Sequence, residues 1–266
     1  MNNINTDSCL PIISVPSWVI AGTYAENLRF LEDKKEIDGV ELLFFVYDSE
    51  VKDELDLQWD EIRRYINRFI FTAHLPELLL PVHGELISRL APLVRHFIVH
   101  PEGNRDSLNR HSLSPVRRMH SPSENNSIQI RLLSEWTERY NVSFLMENTK
   151  AGNLEKLLPY IEHNIGLCMD TGHLLLEGQN PADFFVKYRE RIKEIHLHGV
   201  DEEQSNIDGK LADHRRLWGN EPWLLELLPL LEDYEGVINL ESFSWEEARA
   251  SIDILPEKLV QKRNRQ

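Results

Sequence analysis

With 266 residues, 41% of them hydrophobic, the chain is long enough for one large domain with a full core. Its net charge of −15, from 44 acidic and 29 basic residues, disfavours a protein that grips a nucleic-acid backbone, because phosphate contacts call for a basic face. No apolar run approaches the ~18 residues of a membrane span, no signal peptide pattern opens the chain, and Cys9 and Cys168 sit in unlike contexts; the expectation is a cytoplasmic protein in a reducing compartment with no membrane partner.

Residues 1–15 are polar with scattered Ile and Pro and read as a flexible leader, with a single domain over 16–266. Ser17–Ala21 reads as a short first strand ending at Gly22-Thr23, followed by a helical turn over Asn27–Asp33 with Leu28 and Leu31 on one side. Val40–Val46 is almost continuously apolar apart from Glu41, the pattern of a strand covered on both faces. Trp59, Ile62, Ile66 and Phe69 recur at helical spacing and predict a helix over 57–68. Ile70–Leu75 is the third strand, Leu86, Leu90, Leu93 and Val94 mark the next helix, and Phe97–His100 is the fourth strand.

A long stretch rich in Ser, Pro, Asn and Arg, about 102–127, reads as a loop. Beyond it the pattern alternates: helix Ile128–Tyr140, strand Val142–Asn148, helix Asn153–Glu162, strand Ile165–Asp170, helix Pro181–Arg191 and strand Ile192–Gly199. A second polar loop runs to Trp218, followed by helix Glu221–Glu232, strand Gly236–Glu241 and a closing helix Trp245–Leu259. Eight strands alternating with helices predict an α/β fold with a parallel sheet and right-handed crossovers, closed as a (β/α)₈ TIM barrel.

The strand ends carry the chemistry. Cys168-Met169-Asp170-Thr171-Gly172-His173 is an apolar run that stops on a carboxylate, a hydroxyl, a glycine and an imidazole. The same event recurs at His74, His100, Glu147, His196-Leu197-His198 and Glu241, and the C-terminal strand ends are where such barrels place their sites. Alternation along a strand lets all of these point into the barrel: Glu147 shares its face with Leu145, His196 with His198, and Glu241 with Asn239, while the bulky apolar residues face the helices.

Five imidazoles (His74, His100, His173, His196, His214) and four carboxylates (Glu147, Asp170, Asp213, Glu241) form a candidate set of nine ligands, too many for one ion and enough for two or three. Mixed His and carboxylate ligation suits zinc first, with manganese or iron as alternatives. Three divalent ions against four carboxylates leave about +2, enough for one phosphodiester anion and one hydroxide. Glu147, Asp170 and Glu241 are the candidate catalytic carboxylates. Glu41, His198, Arg105 and Arg215 are candidate substrate contacts, Arg105 belonging to a basic loop with Arg110, Arg117 and Arg118, and Arg215 flanking Asp213-His214 with Lys210 and Arg216.

From Trp18 to about Leu259 these residues resemble the endonuclease IV and xylose isomerase-like superfamily of metal-dependent barrels. The resemblance implies a first ion on His74, His100 and Glu147, a second bridged by Glu147 and held by Asp170, His196 and Glu241, and a third on His173, Asp213 and His214. One residue separates the endonuclease's own Asp and His, whereas Asp213 and His214 are adjacent, and His196 and His198 compete for one role. Gly22-Thr23-Tyr24, the 38–45 run, Thr72-Ala73-His74-Leu75-Pro76 and Ile195-His196-Leu197-His198-Gly199-Val200 with Asp213-His214 are similar, more narrowly, to cobamide-remodelling phosphodiesterases of the CbiR type. That likeness implies a metal-dependent hydrolase opening the nucleotide loop of a small corrinoid substrate, with no nucleic-acid partner. A sugar isomerase or epimerase using one ion and the pair Glu147 and Glu241, and an abasic-site DNA endonuclease, are the alternatives.

Overall fold

A computed structural model describes residues 10–101, 122–149, 153–205 and 211–260. Eight parallel strands close into a barrel in chain order: β1 (Ile12–Pro16), β2 (Gly39–Leu43), β3 (Ile70–His74), β4 (Val94–Val99), β5 (Phe144–Glu147), β6 (Gly166–Asp170), β7 (Ile192–His196) and β10 (Val237–Asn239), which pairs back onto β1. Between β7 and β10 an antiparallel hairpin, β8 (Gly199–Ser205) with β9 (Leu211–Arg215), stands outside the barrel wall. The helices include α1 (Tyr24–Leu31), α2 (Ser49–Arg64), α3 (Gly84–Leu90), α4 (Pro122–Tyr140), α5 (Asn153–Glu162), α6 (Thr171–Leu176), α7 (Pro181–Tyr188), α8 (Pro222–Leu227) and α9 (Trp245–Ile254).

Strand alternation sorts the side chains. Val40 and Leu42, Phe71 and Ala73, Phe97 and Val99, Phe144 and Met146, Leu167 and Met169, Ile195 and Leu197, and Ile238 and Leu240 all join the buried core between strands and helices. The inward rows are different. Among the described residues Ile98, Leu145 and Cys168 form an apolar cluster there, and the inward rows also carry many buried polar residues: Ser14, Glu41, Thr72, His96, Glu194, His196 and Asn239.

The first strand is not where the hydrophobic pattern places it. β1 begins at Ile12, inside the stretch read as leader, and Ser17–Ala21 is not a strand. The reason is Asn27, fully buried in α1, whose side-chain oxygen accepts from the backbone N–H groups of Val19 and Ile20 at 2.9 and 3.1 Å. Those amides are spent on a side chain, so no sheet ladder can use them. The second polar loop is likewise corrected, since it contains the β8–β9 hairpin, and β7 stops at His196 rather than Gly199. The helix expected over 221–232 is α8 followed by a 3₁₀ turn, Leu228–Leu231. After β6 the chain turns directly into a short helix, α6, capped by the Asp170 carboxylate.

Candidate metal centre

Strand ends β3 to β7 and the segment after β10 deliver their polar side chains to one end of the lumen. Glu147 is the hub: its carboxylate lies 3.0 Å from His74 Nε2, 3.3 Å from His100 Nε2 and 3.2 Å from His173 Nδ1. Asp170 lies 3.3 Å from His173 Nδ1 and 3.2 Å from His198 Nε2, while Glu241 lies 3.1 Å from His196 Nδ1 and 3.6 Å from His214 Nε2. Glu147, Asp170 and Glu241 are all essentially buried. Asp213 stays beside His214, 3.3 Å from its Nδ1. All nine residues of the predicted ligand set are thus drawn to the same region.

On distance alone the donors fall into overlapping groups: His74, His100 and Glu147; Glu147, Asp170 and His173; and Asp170, His198, His214 and Glu241. Glu147 and Asp170 are each shared by two of these. His196 also groups with Glu147 and Cys168 and, separately, with Glu41 and Glu194. Buried Glu241 Oε2, His100 Nδ1 and both His196 nitrogens have no hydrogen-bond partner, which fits donors arranged for ions rather than for one another.

Electrostatics point the same way. Burial pushes the Glu147 carboxyl up, but the imidazoles of His100, His173 and His74 outweigh it and hold the group well below the usual carboxylate range. Asp170 is held down against burial by His173 and His198, and Glu241 by His196, His214 and His198. Burial opposes charge on His173, yet Asp170 and Glu147 raise it to about 10. The surroundings thus favour the ionised form of these three carboxylates, the form that divalent cations also favour.

Several local bonds fix the ligands. The Asp170 carboxylate accepts from the His173 amide at 2.6 Å, as the cap of α6. Asn148, which the strand-end pattern did not single out, clamps the backbone of Asp170 by donating to its carbonyl and accepting from its amide, both at 2.9 Å. His74 Nδ1 lies 3.0 Å from the Leu75 carbonyl and His173 Nδ1 2.9 Å from the Asn148 carbonyl. A carbonyl can only accept, so in both rings Nδ1 carries a hydrogen, and in the neutral ring that an ion would bind Nε2 keeps the lone pair.

The expected substrate contacts fare differently. Glu41 is fully buried one layer below the strand ends, where its Oε2 accepts from Asn239 Nδ2 at 2.6 Å and lies 3.0 Å from His196 Nε2; it cannot touch a substrate from there. Burial raises its carboxyl to about 7 against the pull of His196. His198 is also fully buried, behind Asp170. Arg215, next to His214 in the hairpin, lies 3.8 Å from Asp201 and 3.6 Å from Glu247. Arg105, Arg110, Arg117, Arg118 and Lys210 lie outside the described residues. Cys168 lies in the lumen below Asp170, its thiol pushed well up by burial.

Two residues at the mouth went unnoticed in the sequence. Phe45 and Phe243 are exposed, meet edge to face with ring centres 6.4 Å apart, and lie against His74 at 5.4 Å and His214 at 4.9 Å. The signal was position: Phe45 comes two residues after the end of β2, and Phe243 two residues after Glu241.

A closed parallel barrel with carboxylates and imidazoles at its C-terminal mouth defines a class of metal-dependent enzymes. The chain belongs to the xylose isomerase-like TIM barrel family, whose pattern matches residues 124–258, just over half of its length. A D-tagatose 3-epimerase-like protein is similar in structure with a TM-score of 0.61 and 21% identity over 93% of this chain and 97% of that one. Endonuclease IV from Thermus thermophilus is similar with a TM-score of 0.59 and 14% identity, covering 95% of this chain and all of that one (100%). An inosose dehydratase from Lacticaseibacillus casei is 42% identical over 50 residues, a match spanning 19% of this chain and 16% of that protein. Members of the family are enzymes that typically bind divalent metals, and among the described residues no helix is long and apolar enough to cross a membrane.

Proposed function

We propose that the chain is a metal-dependent phosphodiesterase that hydrolyses a phosphoester in the nucleotide loop of cobamides. The observation that carries the reaction class is the sharing of Glu147 and Asp170 between adjacent donor groups, an arrangement suited to two or three ions rather than one. When bound, such ions lower the pKa of water and stabilise charge on the attacking and leaving oxygens of a phosphoester. The protein's part is to hold the donors. His74, His100 and Glu147 would serve one ion, Glu147, Asp170, His196 and Glu241 a second, and His173, Asp213 and His214 a third. Phe45 and Phe243 give the mouth an apolar rim that suits a flat ring system and helps to exclude water. The cobamide itself is supported by the motifs around His74 and His196, and by a net charge of −15 that disfavours DNA more than a small anion.

A second reading is favoured by the sequence matches: a one-ion sugar isomerase, epimerase or dehydratase in which Glu147 and Glu241 transfer protons. The fold cannot choose between the two, because one barrel hosts many reactions. Turnover can. Metal-replete protein incubated with a complete cobamide should release the lower-ligand nucleoside or nucleotide and leave a truncated corrinoid, and a chelator should block this. Glu147→Gln or Asp170→Asn should abolish turnover with the fold intact by circular dichroism. An untouched cobamide, together with isomerisation or dehydration of a keto-sugar or inosose, would establish the second reading instead.

A further inference from the structure

His198 sits among the candidate ligands, 3.2 Å from both oxygens of Asp170, and distance alone makes it a donor to an ion. Its other nitrogen argues otherwise. The backbone amide of His214 donates to His198 Nδ1 at 3.0 Å. A backbone N–H cannot give up its hydrogen, so Nδ1 must offer a lone pair, and a neutral ring then carries its single hydrogen on Nε2. A hydrogen on Nδ1 would face the amide hydrogen head-on. The Gly199 carbonyl, 3.3 Å from Nδ1, is the more distant contact and does not displace the amide. This is the reverse of His74 and His173, where a carbonyl holds the hydrogen on Nδ1 and frees Nε2.

We propose that His198 is not an ion ligand but a positioning residue: it donates from Nε2 to the Asp170 carboxylate, and leaves His196 as the imidazole that β7 offers to an ion. The clause about ions rests on the metal-site reading above; the tautomer does not.

The surroundings hold the ring in place. A Cβ at Gly172 would stand 2.0 Å from His198 Cε1 and 2.5 Å from Nδ1, so only glycine lets the ring lie against α6. The other face stacks on the His214 ring, with centres 4.5 Å apart and planes 13° from parallel. Thr171 Oγ1 accepts from the His198 amide at 3.0 Å and lies 2.8 Å from its carbonyl. The amide that sets the tautomer belongs to a residue in the left-handed region, His214 at φ 57°, which is uncommon outside glycine and marks a backbone held by its context. Here Asp213 and His214 are adjacent, and that kink in β9 brings the His214 amide onto His198. The hairpin thus supplies a backbone bond as well as an imidazole, and Gly172 and the second histidine of His196-Leu197-His198 become parts of one device.

The test uses the full chain labelled with ¹⁵N in its histidines. Long-range ¹H–¹⁵N spectra distinguish a ring nitrogen bearing hydrogen from one with a lone pair, with the His198 signals assigned from their loss in His198→Gln. The proposal predicts a lone pair on His198 Nδ1 and hydrogen on Nε2, both without and with zinc. Hydrogen on Nδ1, or scalar coupling of His198 Nε2 to bound ¹¹³Cd, would overturn it. Glutamine can donate from near the Nε2 position, so His198→Gln should keep the wild-type number of zinc ions per chain, with affinity weakened about 10–100-fold as for other outer partners of ligands. His196→Gln should hold one ion fewer. A folded His198→Gln protein that lacks one equivalent of zinc would contradict the assignment. A wild-type protein that binds no zinc would refute the metal-site reading instead, and the ring nitrogens would still decide the tautomer.

Discussion

Below the candidate ligands, the lumen holds a second pair of ionisable groups, His96 Nε2 at 2.5 Å from Glu194 Oε2, with Thr72 Oγ1 donating to Glu194 at 3.3 Å. Both partners are buried, so removing one leaves the other uncompensated in a poor solvent for charge. His96→Ala should destabilise the protein by about 3–5 kcal/mol in urea unfolding, and Glu194→Gln by less, because the amide can still hydrogen bond; a loss below about 1 kcal/mol for His96→Ala would mean the pair is not formed. His83 offers a test by pH away from the donors. Burial holds its pKa below the usual imidazole value, and its Nδ1 accepts from the Leu80 amide at 3.3 Å. Its folded pKa being lower, the unfolded chain binds the proton more readily, so its contribution is complete above the unfolded pKa of about 6.5. It is lost as pH falls through the depressed folded value. The drop in Tm between pH 7.5 and 5 should therefore be smaller in His83→Gln than in wild type, and an equal or larger drop would show that His83 is not held neutral. At this scale the sequence was readable wherever alternation alone decides orientation: Glu147, His196 and Glu241 point inward as their parity requires. Depth was not readable. Glu41 has the right parity and the wrong layer, because nothing in one strand's sequence says how far along the barrel axis its neighbours stagger it.

Most strands built on apolar runs matched their patterns, the helix expected over 57–68 is α2 with earlier bounds, Ser49–Arg64, and elements built on polar side chains were not foreseen. β2, β3, β5 and β6 lie on the apolar stretches expected for them, whereas β4 starts at Val94, expected in the preceding helix, and takes in Arg95 and His96 before the run from Phe97; α7 starts at the expected Pro181, with Asn180 as its cap. β1 was displaced because Ser17–Ala21 looks apolar enough to be a strand, whereas its amides are taken by a single buried side chain. Asn27 makes four such bonds, the other two from Nδ2 to the carbonyls of Ile20 and Thr23. Asn27→Ala should therefore cost about 2–4 kcal/mol, since several buried backbone groups lose their partners. Thr23→Ala, which removes half of an exposed capping box with Glu26, should cost only about 1 kcal/mol. Equal losses in the two variants would show that the Asn27 network is not what replaces the strand. The β8–β9 hairpin was illegible for a related reason. Its sequence, Gly199–Ser205 and Leu211–Arg215, is mostly polar, and its pairing register shifts twice, so it carries no clean period of two.

For the molecule as a whole, the decisive pattern was the repetition of one event, an apolar strand ending on His, Asp or Glu, around a closed wall. That repetition follows from the architecture: helices cover the outer face, so the strands are apolar outward, and the free C-terminal mouth collects the polar residues. It made the barrel and the region of the site readable together. What it leaves open is ion number, which depends on side-chain tautomers and on carboxylates shared between strands distant in sequence. The account stands on Glu147 and Asp170 each serving two neighbouring donor groups. The measurement that tests this most directly is elemental analysis of zinc-saturated full-length protein after exhaustive dialysis, beside Glu147→Gln treated identically. The account predicts two or three ions per chain in the wild type and a loss of more than one in the variant. A single ion per chain, retained or lost alone in Glu147→Gln, would contradict the shared site and leave the one-ion isomerase, epimerase or dehydratase reading in its place.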